Sequence, residues 1–391
     1  MRPVLVVVGT RPEGIKMVPV YLALKKEGVP TVLCSTSQHD QLLTEVFEVF
    51  QVKPDYELKI MKPGQDLFHI TTAVLERIKE VYAQVDPVLV LVQGDTTTVM
   101  AASLAAFYSH IPVGHIEAGL RTGDRYAPYP EEANREIIGL LASYHFAPTA
   151  TAMGNLLAEG KPRESVFCTG NTVVDALSYI EQKIAQGILL PRADLERAVA
   201  GCIISGQKKV LLTAHRRESF DGGITRILKT VKRVAEERPD MFFFYPYHPN
   251  PAVKAAMQEA NFCATENIFL TEPLTYKDLV YLLLSVDMVA TDSGGIQEEA
   301  VSLGKPVAVL REKSERMEGV WEGLATLVGT DTEKLYDALM MCTKSTKHTT
   351  KKFIYGDGYA AQKIVRILQQ HLNTHAIPHR PVIYTGEVQR S

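Results

Sequence analysis

Carboxylates and guanidinium groups are concentrated between residues 115 and 135, where the sequence pattern changes from strand to helix. The apolar run at residues 111–116 predicts a strand, so Glu117 stands at its carboxyl end. Pro130 opens a helical pattern with Glu131 and Glu132 in its first turn and Arg135 one turn later. The loop between these elements is rich in glycine, arginine and tyrosine, and such loops often carry chemistry.

These carboxylates also have ordinary structural explanations, which differ in strength. Acidic side chains in a first helical turn stabilise a helix by about 0.3 to 1 kcal/mol, and this accounts well for Glu131 taken alone. A carboxylate that ends an apolar strand is costly to bury unless it is paired or takes part in chemistry. Glu117 is therefore the stronger functional candidate of the two.

Short apolar runs alternate with longer helical patterns, which predicts βα units that build parallel sheets. Two series of such units predict two doubly wound α/β domains, with the weaker stretch at residues 187–206 as a plausible link. The predicted strands cover residues 4–8, 31–35, 88–93, 112–116 and 144–147 in the first series, and 210–213, 241–245, 268–271, 286–291 and 307–310 in the second. The predicted helices include residues 38–50, 67–82, 97–108, 131–141 and 225–237, and one that ends near residue 26.

Polar and charged residues follow the predicted strands at their carboxyl ends. In open α/β sheets the ligand crevice lies outside these ends. Each residue alone could be a turn or cap residue, but their joint placement favours one shared cleft. They are Arg11, Asp95 and Glu117 in the first series, and His215, His248 and the segment Asp292-Ser-Gly-Gly295 in the second.

The segment Asp292-Ser-Gly-Gly-Ile-Gln-Glu-Glu299 is the clearest candidate for binding an anion. Its glycines allow close backbone approach, and the helix that follows them points free N–H groups at any anion placed there. Glu298 or Glu299 could hold a ribose hydroxyl. A plain strand-to-helix turn with acidic residues in the first helical turn is the alternative.

Basic residues near these strand ends could meet a diphosphate. Arg11, Lys16 and Arg135 belong to the first series, and the run His215-Arg-Arg217 to the second. As isolated surface charges, Arg216 and Arg217 could equally be merely solvated.

Composition bounds the class of protein. A chain of 391 residues suggests about two domains, and 46% hydrophobic with 22% charged residues is typical of a globular protein. The formal net charge of −3 gives no reason to expect a nucleic-acid or membrane partner. We expect neither a leader peptide nor a membrane span. The five cysteines lack metal-ligand spacing and suggest free thiols in the cytoplasm.

Several familiar catalytic signatures are absent from the sequence. There is no Gly-x-Gly-x-x-Gly after the first strand, no Walker-type lysine, no His-Glu-x-x-His and no Gly-x-Ser-x-Gly. We therefore expect neither a nicotinamide cofactor nor a metal. The chemistry should depend on Asp95, Glu117, Glu131 and His215.

Long motifs occur in order from the first strand to about Leu372. They are Gly9-Thr-Arg-Pro-Glu-Gly-Ile-Lys16, Gly94-Asp-Thr-Thr-Thr98, His115-Ile-Glu-Ala-Gly-Leu-Arg-Thr-Gly123, Pro130-Glu-Glu-Ala-Asn-Arg135, His215-Arg-Arg-Glu-Ser219 and Thr291-Asp-Ser-Gly-Gly-Ile-Gln-Glu-Glu-Ala300. In these motifs the chain closely resembles the bacterial non-hydrolysing UDP-N-acetylglucosamine 2-epimerases. Several long motifs in the right order are far more specific than any one of them.

The resemblance implies two Rossmann-like domains that face each other across a nucleotide-sugar cleft, as in glycosyltransferase-B-type enzymes. It places an N-terminal domain at residues 1–170, a nucleotide-sugar-binding domain at 171–356, a helix crossing back at 357–373 and a tail at 374–391. It also implies a homodimer that works in the cytoplasm without a cofactor. The expected product is UDP-N-acetylmannosamine for surface polysaccharide.

The implied reaction is anti elimination of UDP to 2-acetamidoglucal, followed by re-addition with the proton delivered to the opposite face of C2. Acid/base groups are then needed on two sides of the sugar. By resemblance, Asp95, Glu117 and Glu131 are the acid/base candidates, with Glu117 favoured as the C2 base. His215 and Arg11 steady the leaving diphosphate. Lys16, Arg135, His248, Ser293, Gly294, Gly295 and Glu299 are the further substrate-binding candidates.

The sequence departs from the family pattern where a second, regulatory UDP-N-acetylglucosamine would bind. Gln38, His39 and Gln41 are retained as candidate allosteric residues, but Asp40 and Ala73 stand where the family often has arginine. Allosteric activation is therefore in doubt. Leu279 stands where the family frequently has a phenylalanine. The segment Phe353-Ile-Tyr-Gly-Asp-Gly358 replaces a motif that in the family commonly begins with Asn-Pro.

Three alternatives to a reversible epimerase stay open. A hydrolysing epimerase would release N-acetylmannosamine and UDP, and the intact motifs favour the reversible enzyme over it. A glycosyltransferase of the same architecture would need an acceptor site, for which no motif is present. A sensor that binds a nucleotide sugar without turnover would not need the carboxylates and His215 together.

Overall fold

Two parallel β-sheets with flanking helices make up the protein. The computed structural model describes residues 2–37, 40–62, 64–216, 219–344 and 353–373. The strands are β1 (Val4–Val8), β2 (Thr31–Ser35), β3 (Tyr56–Glu57), β4 (Leu89–Gln93), β5 (Val113–Ile116), β6 (Tyr144–Ala147), β7 (Val166–Cys168), β8 (Lys208–Thr213), β9 (Met241–Pro246), β10 (Ile268–Thr271), β11 (Met288–Thr291), β12 (Val307–Val309) and β13 (Ala325–Leu327). The helices are α1 (Arg11–Lys26), α2 (Asp40–Phe50), α3 (Leu67–Val85), α4 (Thr97–Tyr108), α5 (Glu131–Leu141), α6 (Ala150–Ala158), α7 (Thr172–Ala185), α8 (Ala193–Ser205), α9 (Gly223–Glu237), α10 (Pro251–Glu259), α11 (Tyr276–Ser285), α12 (Gly294–Ser302), α13 (Glu318–Trp321), α14 (Thr332–Lys344) and α15 (Ala360–Asn373).

The strand order reverses once in each sheet. The first sheet has seven strands in the order β3-β2-β1-β4-β5-β6-β7, and the second has six in the order β10-β9-β8-β11-β12-β13. Neighbouring strands of both sheets pair in parallel throughout the described residues, with Val6 opposite both Leu33 and Leu91 in the first sheet. The connections leave a crevice between β1 and β4 and another between β8 and β11. Ligands of doubly wound sheets bind outside the strand ends at such switch points.

Burial on both faces explains the continuous apolar runs of the central strands. Every residue of β1 is buried, as expected for a parallel strand covered by helices on both sides. One hydrophobic cluster includes residues from both sheets and from α7, so the two halves share apolar contacts. Within it, Tyr179 of α7 stacks on Phe50, with ring centroids 5.0 Å apart. The helix α15 packs against α1 and α7.

The stretch suggested as a link is in part a helix. Residues 193–205 form α8, whose side chains Leu195, Val199 and Cys202 are buried. Arg192 precedes the helix and pairs with Asp194 at 2.7 Å. The apolar positions of α8 are spaced at three and four residues, which is the helical period.

The strands that sequence reasoning missed are very short. β3 has two residues, and β7 and β13 have three each. All of them lie at sheet edges, where a strand needs no long apolar run. Among the described residues, no helix is both long enough and apolar enough to cross a membrane.

Candidate active site

A cavity of about 390 Å³ lies between the carboxyl ends of the two sheets, where both strand orders reverse. The loops after β1, β4 and β5 line one side, and those after β8, β9 and β11 line the other. It collects the catalytic and substrate-binding residues expected from the sequence. These are Arg11, Lys16, Asp95, Glu117, Glu131, Arg135, His215, His248, Ser293, Gly294, Gly295 and Glu299.

Glu117 is held by donors on both of its carboxylate oxygens. Oε2 accepts from Gln93 Nε2 at 2.8 Å and forms a close ion pair with Lys16 Nζ, while Oε1 lies 3.2 Å from Arg316 Nη2. Its backbone has a φ of 64°, the left-handed region that is rare outside glycine. The strain and the buried pairing support the view that this carboxylate has a function beyond the fold.

Asp95 is fixed by Arg135, which contacts several carboxylates. Arg135 Nη2 lies 2.6 Å from Asp95 Oδ2, and its Nη1 lies 2.7 Å from Glu132 Oε2. Glu132 also accepts from the backbone N–H groups of Thr122 and Gly123, at 2.8 and 2.9 Å. Glu132 therefore anchors the loop before α5, whereas Asp95 remains partly open to the cavity.

Glu131 differs from its neighbours because one carboxylate oxygen has no partner. Oε2 is buried without a hydrogen bond. Burial, with a smaller contribution from the charge of Asp95, raises the pKa of Glu131 above its ordinary value. A carboxyl group with an unpaired oxygen and a raised pKa is suited to exchange a proton with a ligand.

His215 and His248 lie on the second side of the cavity. The two rings stack with centroids 5.4 Å apart. The carboxylate of Asp292 accepts from the backbone N–H groups of His215 and Arg216, at 2.5 and 2.7 Å. Burial and the neighbouring His215 lower the pKa of His248. Asp292 thus shapes the turn that presents His215 and Arg216, while Arg217 lies outside the described residues.

The amino terminus of α12 faces the cavity with Ser293, Gly294 and Gly295. Its first backbone N–H groups are free of intrahelical partners, which makes this end suited to an anion. A Cβ on Gly294 would lie 2.4 Å from Arg316 Nη1, so glycine there leaves room for the guanidinium group.

The two glutamates after these glycines have different surroundings. Glu299 lines the cavity and accepts from the hydroxyl of Tyr276 at 2.8 Å. Burial raises its pKa to about 7. Glu298 is fully buried and pairs with Arg316 Nε at 2.7 Å. Of the two, Glu299 is the one available to a ribose hydroxyl.

Arg11 spans the cleft. It belongs to α1, and its Nη2 donates to the carbonyl oxygen of Leu274 on the second side, at 2.8 Å. Burial lowers its pKa, although the charges of Glu45 and Glu299 oppose this.

Sequence reasoning missed several polar residues of the site. Arg316 and Glu315 line the cavity, and Asn171 donates to Glu298 Oε2 at 2.8 Å and to Glu117 Oε2 at 3.3 Å. Arg316 and Glu315 follow β12 in the charged run Arg311-Glu-Lys-Ser-Glu-Arg316. Their position after a buried strand was the signal that could have identified them.

Most of the residues expected to form a regulatory site lie outside the part of the chain that the structure describes. Gln38 and His39 lie outside the described residues, as do the side chains of Asp40 and Gln41. Ala73 is buried on α3. Leu279 lines the cavity together with Tyr276 of the same helix, α11.

Comparison with known proteins identifies the family. Residues 22–369 match the model of a family described as UDP-N-acetylglucosamine 2-epimerase. The chain is 46% identical over 373 residues to the UDP-N-acetylglucosamine 2-epimerase of Yersinia pestis, which covers 94% of this chain and 98% of that protein. The chain belongs to the UDP-N-acetylglucosamine 2-epimerase family. The resemblance in its motifs is thereby confirmed.

Solved structures of UDP-N-acetylglucosamine 2-epimerases share the fold. The enzyme from Neisseria meningitidis, bound to UDP-N-acetylglucosamine, has a TM-score of 0.87 at 42% identity and covers 94% of this chain and 100% of its own. The enzyme from Methanocaldococcus jannaschii, in complex with UDP-N-acetylglucosamine and UDP, has a TM-score of 0.81 at 33% identity, covering 94% and 99%. The predicted two-domain α/β architecture of glycosyltransferase-B type and the prediction of an epimerase are confirmed.

Proposed function

We propose that the protein interconverts UDP-N-acetylglucosamine and UDP-N-acetylmannosamine by inversion at C2. The observation that carries the proposal is that Asp95, Glu117 and Glu131 line the same cavity as the amino terminus of α12. An anion site beside several carboxylates fits a sugar nucleotide whose sugar carbon gains and loses a proton. The named relatives from Yersinia pestis and Neisseria meningitidis support this substrate.

The reaction proceeds through elimination because the C2 proton is not adjacent to a carbonyl group. Departure of UDP breaks the C1–O bond and gives C1 oxocarbenium character, which acidifies C2. A base takes the C2 proton, and the electron pair of the broken C2–H bond forms the C1–C2 double bond of 2-acetamidoglucal. Re-addition of UDP to C1, with a proton delivered to the other face of C2, gives the epimer.

The diphosphate binds in this scheme at the amino terminus of α12, with Ser293, Gly294 and Gly295. His215 and Arg216 add donors on the same side of the cavity, and Arg11 adds donors from α1 on the opposite side. Glu299 receives a ribose hydroxyl, and His248 supports His215 by stacking. Lys16 and Arg135 contact the substrate through the groups that they also present to Glu117 and Asp95.

The acid/base groups of the proposal are Asp95, Glu117 and Glu131. Glu131 can accept a proton on its unpaired oxygen without breaking an existing contact. On Glu117, Oε2 already accepts from Lys16, Gln93 and Asn171. A proton is therefore more easily accepted on Oε1, which has Arg316 as its neighbour. We therefore place Glu131 on one face of C2, and Glu117, the C2 base that the family resemblance favours, on the other with Asp95.

The assembly, compartment and domain limits belong to the same proposal. The neighbouring helices α4 and α5 expose Phe107, Tyr108, Ile137 and Leu140, an apolar surface suited to a homodimer. The described free thiols fit the reducing cytoplasm, where the product would supply polysaccharide synthesis. The two domains divide near residue 170, α15 returns to the first domain, and no cofactor takes part.

Substitution of the carboxylates tests the residue roles. Asp95→Asn, Glu117→Gln or Glu131→Gln should abolish exchange of the C2 proton with deuterated solvent, while UDP binding by calorimetry stays within about threefold. Glu136→Gln is the matched control, because Glu136 lies on α5 but pairs outward with Arg125 at 2.9 Å. Full exchange in any of the first three variants would remove that residue from the mechanism.

A further inference from the structure

Glu315 joins three arginines at the boundary between the two halves of the protein. It lies between β12 and α13, and its side chain is only 3% exposed. Oε2 is 3.0 Å from Arg311 Nη1, and Oε1 is 3.5 Å from Arg135 Nη2 and in close contact with Arg316 Nη1. Arg135 belongs to the first half and the other two arginines to the second.

Two of these arginines also hold the carboxylates of the proposed reaction. Arg135 lies 2.6 Å from Asp95 Oδ2, and Arg316 lies 3.2 Å from Glu117 Oε1. Both carboxylates come from the first half, so Glu315 completes two ion-pair chains across the cleft. Each chain runs from Glu315 through a guanidinium group to a carboxylate that lines the cavity.

The planar guanidinium group of Arg316 can hold its carboxylate partners in one relative orientation. Arg316 places Nη1 on Glu315, Nη2 on Glu117 and Nε on Glu298, so each nitrogen has a different carboxylate. A planar fork anchored at one edge has little freedom to turn at the others.

The surrounding charges also support Glu315 as the anchor of these two ion-pair chains. Burial opposes ionisation of its carboxyl group, but the charges of Arg316, Arg311 and Arg135 outweigh burial and hold its pKa well below the usual range. The three arginines therefore favour the ionised form of Glu315.

We propose that Glu315 is a positioning residue: it fixes Arg135 and Arg316 so that Asp95 and Glu117 are aligned for proton transfer. This inference rests on the proposed epimerase function, since alignment matters only if these carboxylates move protons. Glu315 does not itself exchange a proton.

The test compares Glu315→Gln with a control on the same segment. Glu315→Gln removes the charge and keeps the size, so kcat and the rate of C2-proton exchange should fall together by at least about thirtyfold. The Kd for UDP should stay within about threefold. The control is Glu318→Gln, because Glu318 accepts from Thr149 across the cleft at 2.6 Å and makes no ion pair with these arginines. It should retain kcat within about twofold.

A conservative variant separates positioning from a general loss of packing. Glu315→Asp keeps the charge on a shorter side chain and should recover at least about threefold in kcat over Glu315→Gln. If Glu315→Gln does not fold, Glu315→Asp replaces it as the test variant. Its kcat should then be at least about threefold below that of the wild type.

Three results would overturn the inference. The first is a wild-type kcat in Glu315→Gln, or in Glu315→Asp if Glu315→Gln does not fold. The second is a kcat equally low in Glu315→Asp and Glu315→Gln, and the third is a fall in kcat for Glu318→Gln as large as that for Glu315→Gln. Failure of the wild-type protein to exchange the C2 proton would instead refute the proposed function itself.

Discussion

Substitution of Glu13 by glutamine should change how the stability of the protein depends on pH. Glu13 lies in the first turn of α1 and is almost completely buried. Its carboxyl group accepts from Gly9 N at 2.7 Å, Thr10 Oγ1 at 2.9 Å and Thr96 Oγ1 at 2.8 Å. No ion pair to Glu13 occurs among the described residues, and burial raises its pKa from 4.5 to about 7 despite the three donors.

The magnitude follows from proton linkage. The folded protein keeps a proton on Glu13 that the unfolded chain releases once the pH exceeds 4.5, and it releases this proton only near pH 7. The free energy of unfolding therefore falls as the pH rises through this window, by about 1.4 kcal/mol per unit. The total loss by pH 8 is about 3 kcal/mol.

Glu13→Gln removes this titration while keeping donors and acceptors for the same neighbours. The advantage of the variant over the wild type in free energy of unfolding should grow by about 3 kcal/mol between pH 4 and pH 8. Urea unfolding followed by circular dichroism at both pH values measures this difference. Glu48→Gln, an exposed position on α2, is the control and should change by well under about 1 kcal/mol. A pH-independent difference for Glu13→Gln would refute the reasoning.

Three further predictions test separate parts of the structure. Gly119→Ala should lower the free energy of unfolding in urea by about 2 kcal/mol or more, because φ at Gly119 is +89° and an added Cβ would lie 2.2 Å from a backbone oxygen. Gly123→Ala is the control and should cost about 1 kcal/mol, because φ there is +77° but the space around the Cβ is open. Equal costs for the two variants would contradict this account. Tyr276→Phe removes the donor to Glu299, so calorimetry should show about tenfold weaker UDP binding, and an unchanged Kd would exclude this role. Asp175→Ala should lower the free energy of unfolding by about 1 to 2 kcal/mol, because Asp175 accepts the first N–H groups of α15, and an unchanged value would show that this cap contributes nothing.

The central strands and the strand-end residues could be predicted from the sequence because their signals are local. A buried parallel strand needs an unbroken apolar run, and β1 and β4 have one. Parallel strands bring their carboxyl ends to one edge, so Asp95 and Glu117 had to lie close together. By contrast, β3 is paired through only two residues at an edge, and no local pattern distinguishes so short a strand.

Contacts between distant segments could not be predicted in the same way. The sequence treats Glu298 and Glu299 alike, but the rotation of α12 buries one against Arg316 and turns the other toward the cavity. Arg316 and Glu315 lie far along the chain from their partners Glu117 and Arg135, and these pairs form only because the two halves of the protein meet at the cleft. The stretch at 187–206, expected as a link, contains α8, whose buried side chains Leu195, Val199 and Cys202 follow the helical period.

Proton NMR of the purified protein with UDP-N-acetylglucosamine in deuterated water tests the central claim most directly. The proposed mechanism predicts loss of the C2 proton signal and the appearance of UDP-N-acetylmannosamine that carries deuterium at C2. Release of free N-acetylmannosamine and UDP would mean that water captures the intermediate and that the enzyme is hydrolytic. A C2 proton that persists, with no sugar product formed by fresh protein and added UDP, would contradict the account.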